Sequence, residues 1–360
     1  MTQTVVGIGT RKGLWLARSE DRQTWSLEGP QFMMREVPSI AFDTREGRDR
    51  VLVGVRSEHW GPTVMRSEDG GRTWDETPEG AIRFPEDTGA ALARVWQLVP
   101  DPHDADVVWA GTEPHGLWRS ADGGRTFELV RGLWDHPHRP EWGEGAGGGA
   151  IHTILPDPRS AESMLVAMST GGVYRTADAG RSWEASNRGI KASFYPDPFP
   201  EFGQCVHKVA RDAAEPSRLY AQNHHGVYRS DDDGASWESI AEGLPTDFGF
   251  VMQAHPRRGD SVWVVPITSD REHVPPHGEL QVQHSTDAGR TWQVHRSGLP
   301  QPSWTCVLRD ASGVDAHEDT GFYFGTRNGD VYASTDGGAS FTRIAEQLPD
   351  VLCVRAVDLP

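Results

Sequence analysis

Cysteine is scarce in this chain of 360 residues: Cys205, Cys306 and Cys353 are three in number and far apart. A disulfide scaffold is Cys-dense, so the sequence predicts free thiols in a reducing compartment, and cytoplasmic localisation is expected. No run of eighteen apolar residues occurs, and MTQTVVGIGTRKG at the N-terminus lacks a charged segment followed by an apolar core, so a membrane span and a signal peptide are not expected. Positive charge is also in deficit. Thirty-five Lys and Arg face 52 Asp and Glu, for a net charge of −17 and no polybasic run, which argues against nucleic acid or an anionic membrane as partner. Tyrosine is sparse, at six, and mostly at strand-like positions such as Tyr174, Tyr220, Tyr228 and Tyr332.

What the chain has in abundance is one phrase, Ser-x-Asp-x-Gly-x-Thr-Trp. Complete copies stand at Ser67–Trp74 and Ser285–Trp292. Close variants occupy Ser120–Phe127, Thr176–Trp183, Ser230–Trp237 and Ser334–Phe341, and Ser19–Trp25 is a copy one residue shorter without the glycine. The copies recur roughly every fifty residues, the length of a four-stranded propeller blade. Around each one the chain repeats strand, turn, strand, loop, strand, phrase, strand: VWQLVPDP, VVWAGT, LWRS and SADGGRTF show this order. Ser and Asp side chains suit bonding to turn amides, glycine accepts positive φ and the aromatic residue anchors the hairpin, so these aspartates read as structural.

The two ends are complementary. VVGIGT from Val5 reads as a second strand with no first, and VLCVRAV from Val351 as a first strand with no blade after it. The expectation is an all-β, seven-bladed β-propeller spanning residues 1–360, with the C-terminal strand completing blade 1 (about 1–30 plus 350–360) and closing the ring.

The phrases resemble the Asp-boxes of the bacterial-neuraminidase-repeat superfamily over essentially the whole chain. That superfamily includes sialidases, xyloglucanases, sorting-receptor ectodomains and photosystem assembly factors, so the resemblance implies the propeller far more firmly than an activity. A standard sialidase is not implied. The only relative of its Arg-Ile-Pro motif is IRFP at Ile82–Pro85, after the second box, and the mouth loops offer no obvious tyrosine nucleophile. Xyloglucanases of the superfamily place paired aspartates on two propellers, and one propeller is present here.

Boxes mark the face where third strands meet fourth strands. The opposite face gathers the second-to-third-strand loops and the links between blades, the usual place for a binding site. It is rich in His, Glu, Arg and Trp. Candidate catalytic residues are Glu58, His59, Glu113, His115, His152 and His207; candidate substrate-binding residues are Arg56, Trp60, Arg94, Trp96, Trp142, Asn223, His224 and Arg355. Trp96, His152 and His207 occupy equivalent positions in three first strands, and His115, His152 and His207 are expected to approach one another at the mouth. Two inserts reach the same face. Residues 131–150 carry His136, His138, Glu141, Trp142 and Glu144 before a glycine run that could let Trp134 or Trp142 cover a ligand; residues 266–283 read as a rim, lid or subunit contact.

These residues point to a hydrolase or lyase acting on a small polar, sugar-like substrate. Two carboxyl groups flanking a glycosidic bond are the first chemical version, with Glu58, Glu113, Glu141 and Glu144 available. The second is a divalent metal ion held by histidines, with no compact ligand motif to name the set. Without metal, the same histidines would act as acids and bases titrating around 6.5. The expected partner is a small-molecule or carbohydrate ligand. A non-catalytic platform that binds a protein partner is the alternative.

Overall fold

The computed structural model describes residues 3–77, 80–145 and 147–359; Met1, Thr2, Pro78, Glu79, Ala146 and Pro360 lie outside the description. Its strands form seven four-stranded antiparallel sheets, each in simple sequential order. The exception in sequence is blade 1, whose innermost strand is the C-terminal Val351–Leu359 beside Gln3–Thr10, Gly13–Ser19 and Ser26–Gln31. The closing pair is in register from Gln3↔Leu359 to Gly9↔Cys353 and slips by one residue before Thr10↔Val351. The ring closes as the two unpaired strand patterns anticipate, because closure removes two sheet edges at once.

Each box builds the same turn from local hydrogen bonds. In the Ser67 box the Ser67 hydroxyl donates to Asp69 Oδ1 at 2.7 Å and accepts from the Gly71 amide at 2.9 Å. Asp69 also accepts from the Thr73 amide at 2.8 Å and the Thr73 hydroxyl at 2.7 Å. The degenerate box keeps this logic. Asp21 accepts the amides of Gln23 and Thr24, both at 2.8 Å, while Arg22 takes the positive φ of 56°. Box tryptophans then lock neighbouring blades. Trp237 Nε1 donates to Ser186 O at 2.8 Å and Trp292 Nε1 to Ile240 O at 2.9 Å.

The bonds to Thr73 hold the Asp69 carboxyl far below its ordinary value, and the Ser182 hydroxyl and amide bring Asp178 down to about 2. A depressed folded pKa stabilises the fold above the unfolded value of about 4 and loses that contribution as pH falls toward 2. Acid unfolding monitored by circular dichroism should therefore set in between pH about 4 and 2. Asp287→Ala, which removes the acceptor of Thr291 N and Oγ1 at 2.9 and 2.7 Å, should cost about 1 kcal/mol, the low end for such bonds because the carboxylate faces solvent. Ligand affinity at the opposite face should not change; calorimetric melting with a parallel binding assay checks both.

Between the sheets lie layers of buried side chains, of which the largest includes Val6, Ile8, Trp263, Phe322, Phe324 and Val354 from blades 6, 7 and 1. No helix is long and apolar enough to cross a membrane among the described residues. Across the centre, Lys208 of blade 5 reaches Asp310 before blade 7 at 2.8 Å, and Arg355 of blade 1 reaches the same carboxylate oxygen at 2.6 Å. Blades 5 and 7 are not neighbours in the ring, so this triad spans the channel and plugs it.

Candidate functional site

Inner strands of three blades share an irregularity that sets the mouth. The ladder slips between Val95 and Gln97, between Ile151 and Thr153, and between Val206 and Lys208. Trp96, His152 and His207 are thus the extra, unpaired residues of β-bulges, which release a side chain from the pleat and re-aim it. The sequence equivalence of the three positions has this physical cause.

Trp96 forms the floor of the mouth. Its ring contacts the guanidinium of Arg94 at 4.9 Å and that of Arg309 at 5.2 Å, and Nε1 donates to Glu113 Oε2 at 3.0 Å. Arg94 continues to Glu36 at 3.2 Å and lies 3.8 Å from Glu113. Glu36 is shared further with Arg11 at 3.0 Å and Arg56 at 3.6 Å, and Asp350 with Arg11 at 3.1 Å and Arg327 at 2.9 Å. Glu113 and Glu36 are therefore engaged by arginine. Neither stands isolated against an apolar wall, the setting that keeps a general acid protonated. Glu58 and His59 sit exposed on a loop tip next to Trp60, which is 67% exposed and lies under Arg35 at 5.5 Å.

Arg309 is different. Its guanidinium forms no hydrogen bond or ion pair among the described residues, and its Nε is buried without a partner. Its charge is nonetheless the largest acting on His152, Cys205 and His207. Burial, then the Arg309 charge, pushes His207 down to about 3, and burial with Arg309, Lys208 and His207 holds His152 well below its ordinary value. His152 Nδ1 lies 3.2 Å from Thr153 Oγ1, while its Nε2 is buried without a partner. His207 Nδ1 donates to Gly249 O at 2.6 Å.

The expectation of an imidazole titrating near 6.5 at these positions is corrected by their burial. Both rings are neutral through the physiological range. For His207 the sign is that of a depressed base: its contribution to stability is complete above the unfolded value of about 6.5 and declines as pH falls toward 3. Ring resonances of His152 and His207 should hold their neutral shifts from pH 5 to 8 in an NMR titration.

Other candidates fall into packing positions. His115 is buried, and its Nε2 lies 3.1 Å from Ser169 O on the neighbouring blade, under the glycine run. A Cβ on Gly149 would come 2.5 Å from the His115 ring, so the glycines are needed for this close approach. The charges acting on His115 are Arg139 and Glu144, not the Arg309 group, so His152 and His207 share an environment that His115 does not. Trp142 is not a cover. It is 7% exposed, its Nε1 donates to the Tyr174 hydroxyl at 2.9 Å, and His115 and Tyr174 pack on its ring edge-on. Trp134 is buried with Arg139 over its ring, and His138 stacks on Phe202 at 4.0 Å. The insert is packed by its own aromatics because their combined apolar area outweighs exposure as a flap. Asn223 is buried and donates to Lys191 O at 2.9 Å. Arg355 belongs to the channel triad.

His224 stays at the mouth, edge-on to His207 at 5.7 Å and to Phe248 at 5.2 Å. The insert 266–283 rims this side: Asp270 lies 3.7 Å from His224 Nε2, and His273 stacks on Phe248 at 6.2 Å. Cys205, Lys208, Arg309 and Asp310 escaped the sequence reading. Cys205 could have been found, because Cys-Val-His followed by His-His on the pairing strand puts three donors on one hairpin. Arg309 precedes a strand of only three residues, Ser312–Val314, and left no repeat pattern to align.

No family model matches the chain. It is 27% identical over 368 residues to an oligoxyloglucan-reducing end-specific xyloglucanase of Emericella nidulans, covering 86% of this chain and 43% of that protein. A xyloglucanase of Hypocrea jecorina is 23% identical over 303 residues, covering 71% and 32%. The photosystem II assembly protein Ycf48 of a Synechococcus strain is 27% identical over 168 residues, covering 39% and 49%. The chain thus spans less than half the length of these curated relatives. Among solved structures, the GH74 enzyme of Niastella koreensis aligns with a TM-score of 0.55 at 15% identity, over 96% of this chain and 67% of that one. YCF48 bound to D1 peptide aligns with a TM-score of 0.53 at 16% identity, over 86% and 82%. The chain is a seven-bladed β-propeller. In sequence it is distantly similar to xyloglucanases and to Ycf48, and it shares the fold of the GH74 and YCF48 structures.

Proposed function

We propose that the protein is a hydrolase or lyase that takes a small, polar, sugar-like anion at the boxless mouth. The observation that carries this reading is the Arg309 guanidinium, which makes no hydrogen bond or ion pair among the described residues, feels the Asp310 carboxylate only through its field, and lies over the half-buried Trp96 ring with its charge acting on His152. A guanidinium shielded from water with its hydrogen bonds unmade costs desolvation free energy unless a ligand completes it. A carboxylate or phosphate fits the guanidinium fork, and an aromatic face suits the apolar face of a sugar ring. The concentration of arginines here also stands against a chain charge of −17, which favours a local attraction for anions over a general one. The distant kinship with xyloglucanases supports a carbohydrate as the class. The arginine-bound state of Glu113 and Glu36 favours chemistry at the His/Cys corner over a two-carboxylate mechanism.

The test is incubation with short uronic-acid-containing oligosaccharides and with their neutral counterparts, followed by NMR. New reducing ends mark hydrolysis, and a new carbon–carbon double bond marks elimination. Turnover of neutral oligosaccharides alone, or of none with no binding of either class, overturns the reading.

A second reading has an observation of its own. Met33, Met34, Trp60, Phe194, Tyr195, Phe199 and Trp304 are 40–72% exposed, and all sit on second-to-third-strand loops or blade links of the boxless face. An apolar rim of this kind suits a protein partner, and a Ycf48 structure carries a bound peptide. In this reading a peptide would cross the mouth with an acidic group on Arg309. Phe199→Ala would then weaken capture of acidic peptides, and no oligosaccharide would be turned over.

A further inference from the structure

The first strand of blade 5 and its neighbour bring three metal-binding side chains to one point. Val206 pairs with Asn223, and the His224 amide donates to Cys205 O at 2.9 Å, so Cys205 and His224 stand opposite each other at the end of the hairpin. His207 lies two residues beyond Cys205, on the bulge. Cys205 Sγ and one ring nitrogen each from His207 and His224 lie within 4.8 Å of one another, and this is the one such group among the described residues. We propose that Cys205, His207 and His224 bind a transition metal ion of the zinc class, with a fourth position open to the mouth.

The donor set selects the ion. A thiolate with two imidazoles suits zinc, cobalt(II) or a similar ion and not magnesium or calcium, which take oxygen. Three protein ligands with one open position is the arrangement of catalytic rather than structural zinc. Support from the surrounding shell is already built. A carbonyl only accepts, so the contact of His207 Nδ1 with Gly249 O at 2.6 Å places the proton on Nδ1 and leaves the Nε2 lone pair free. Asp270 stands 3.7 Å from His224 Nε2 as a carboxylate partner for the second imidazole. Phe248 and Phe250 wall the group, at 5.3 and 4.9 Å from the His207 ring, which keeps the site shielded on that side. Tetrahedral ligation at about 2.0 Å to nitrogen and 2.3 Å to sulfur brings donors to roughly 3.5 Å of one another. His224 lies on a partly exposed loop, so it can supply the last ångström of closure. His136 and His138 make the contrast: their rings are occupied by Trp183 O, the Tyr174 hydroxyl and Phe202.

This inference rests on the anion-binding reading of the mouth for its role, since the open position would face a ligand held by Arg309. Its test does not depend on that reading. The full chain is freed of metal with a chelator and titrated with cobalt(II) alone. About one equivalent should bind, with thiolate-to-cobalt charge-transfer absorption and the visible bands of four-coordinate cobalt. Cys205→Ser should lose the charge-transfer absorption, His207→Ala and His224→Ala should weaken binding by more than about 100-fold, and His136→Ala should bind as the parent does. Melting of the metal-free variants, compared with the metal-free parent, separates ligand loss from misfolding. Absence of saturable binding, an unchanged spectrum in Cys205→Ser, or loss of binding in His136→Ala with retention in His224→Ala overturns the proposal. If cobalt fails to bind while the metal-free protein still captures a uronate through Arg309, the metal site falls and the mouth reading stands. If cobalt binds as described and uronate binding is insensitive to Arg309→Met, the reverse holds.

Discussion

Deleting residues 348–360 should abolish cooperative unfolding in a calorimetric scan. The lost strand pairs with Gln3–Thr10 along its whole length and buries Val351 and Val354 completely. Burial of those two valines contributes about 1.5–3 kcal/mol each. The deletion further removes one side of a ladder, exposes the edge of Gln3–Thr10 and takes Arg355 from the Asp310 carboxylate, leaving Lys208 as its remaining ion-pair partner among the described residues. Against a total stability of about 5–15 kcal/mol for a typical domain, these losses together approach the whole. A truncated chain that melts like the intact one would mean that the ring does not depend on its closing strand.

Arg309→Met should separate binding from stability. Methionine replaces the aliphatic length of the side chain and removes the charge. If a ligand anion takes two charge-assisted bonds from the guanidinium, at about 1.5–3 kcal/mol each, affinity falls by at least roughly 100-fold. The melting temperature should hold or rise, because a desolvated cation without an ion-pair partner is removed. Most arginines of the mouth could not give this result. Arg94, Arg11 and Arg327 have carboxylate partners, and their loss removes an ion pair rather than a lone cation. Titration calorimetry with a hexuronate beside differential scanning calorimetry reads both quantities. A variant that binds normally, or that loses binding and stability together, would remove Arg309 from the ligand site.

The parts of the fold that were legible in sequence are those fixed by local chemistry. A Ser and an Asp two residues apart, with a glycine near, specify one turn whatever surrounds them, so the boxes, the blade order and the ring closure could be read directly. The mouth was legible only in outline. Trp96, His152 and His207 were recognisable as equivalent, but the bulges that turn them out of the ladder depend on pairing partners, which a single strand does not reveal. Trp142 and His115 looked like ligands since their loop is polar and glycine-rich. Their burial follows from Tyr174, Ser169 and the glycines that admit the loop onto them. Arg309 and Asp310 became visible only when the ring brought blade 7 against blades 1 and 5, for neither lies in a repeated phrase.

The most direct test of the account is a crystal structure of the protein soaked with a hexuronate. The sugar should occupy the boxless mouth, its carboxylate on Arg309 and one ring face on Trp96, within reach of His152. A hexuronate bound elsewhere, on the box face or the outer blade edges, with Arg309 still unpaired at saturating ligand, would contradict it.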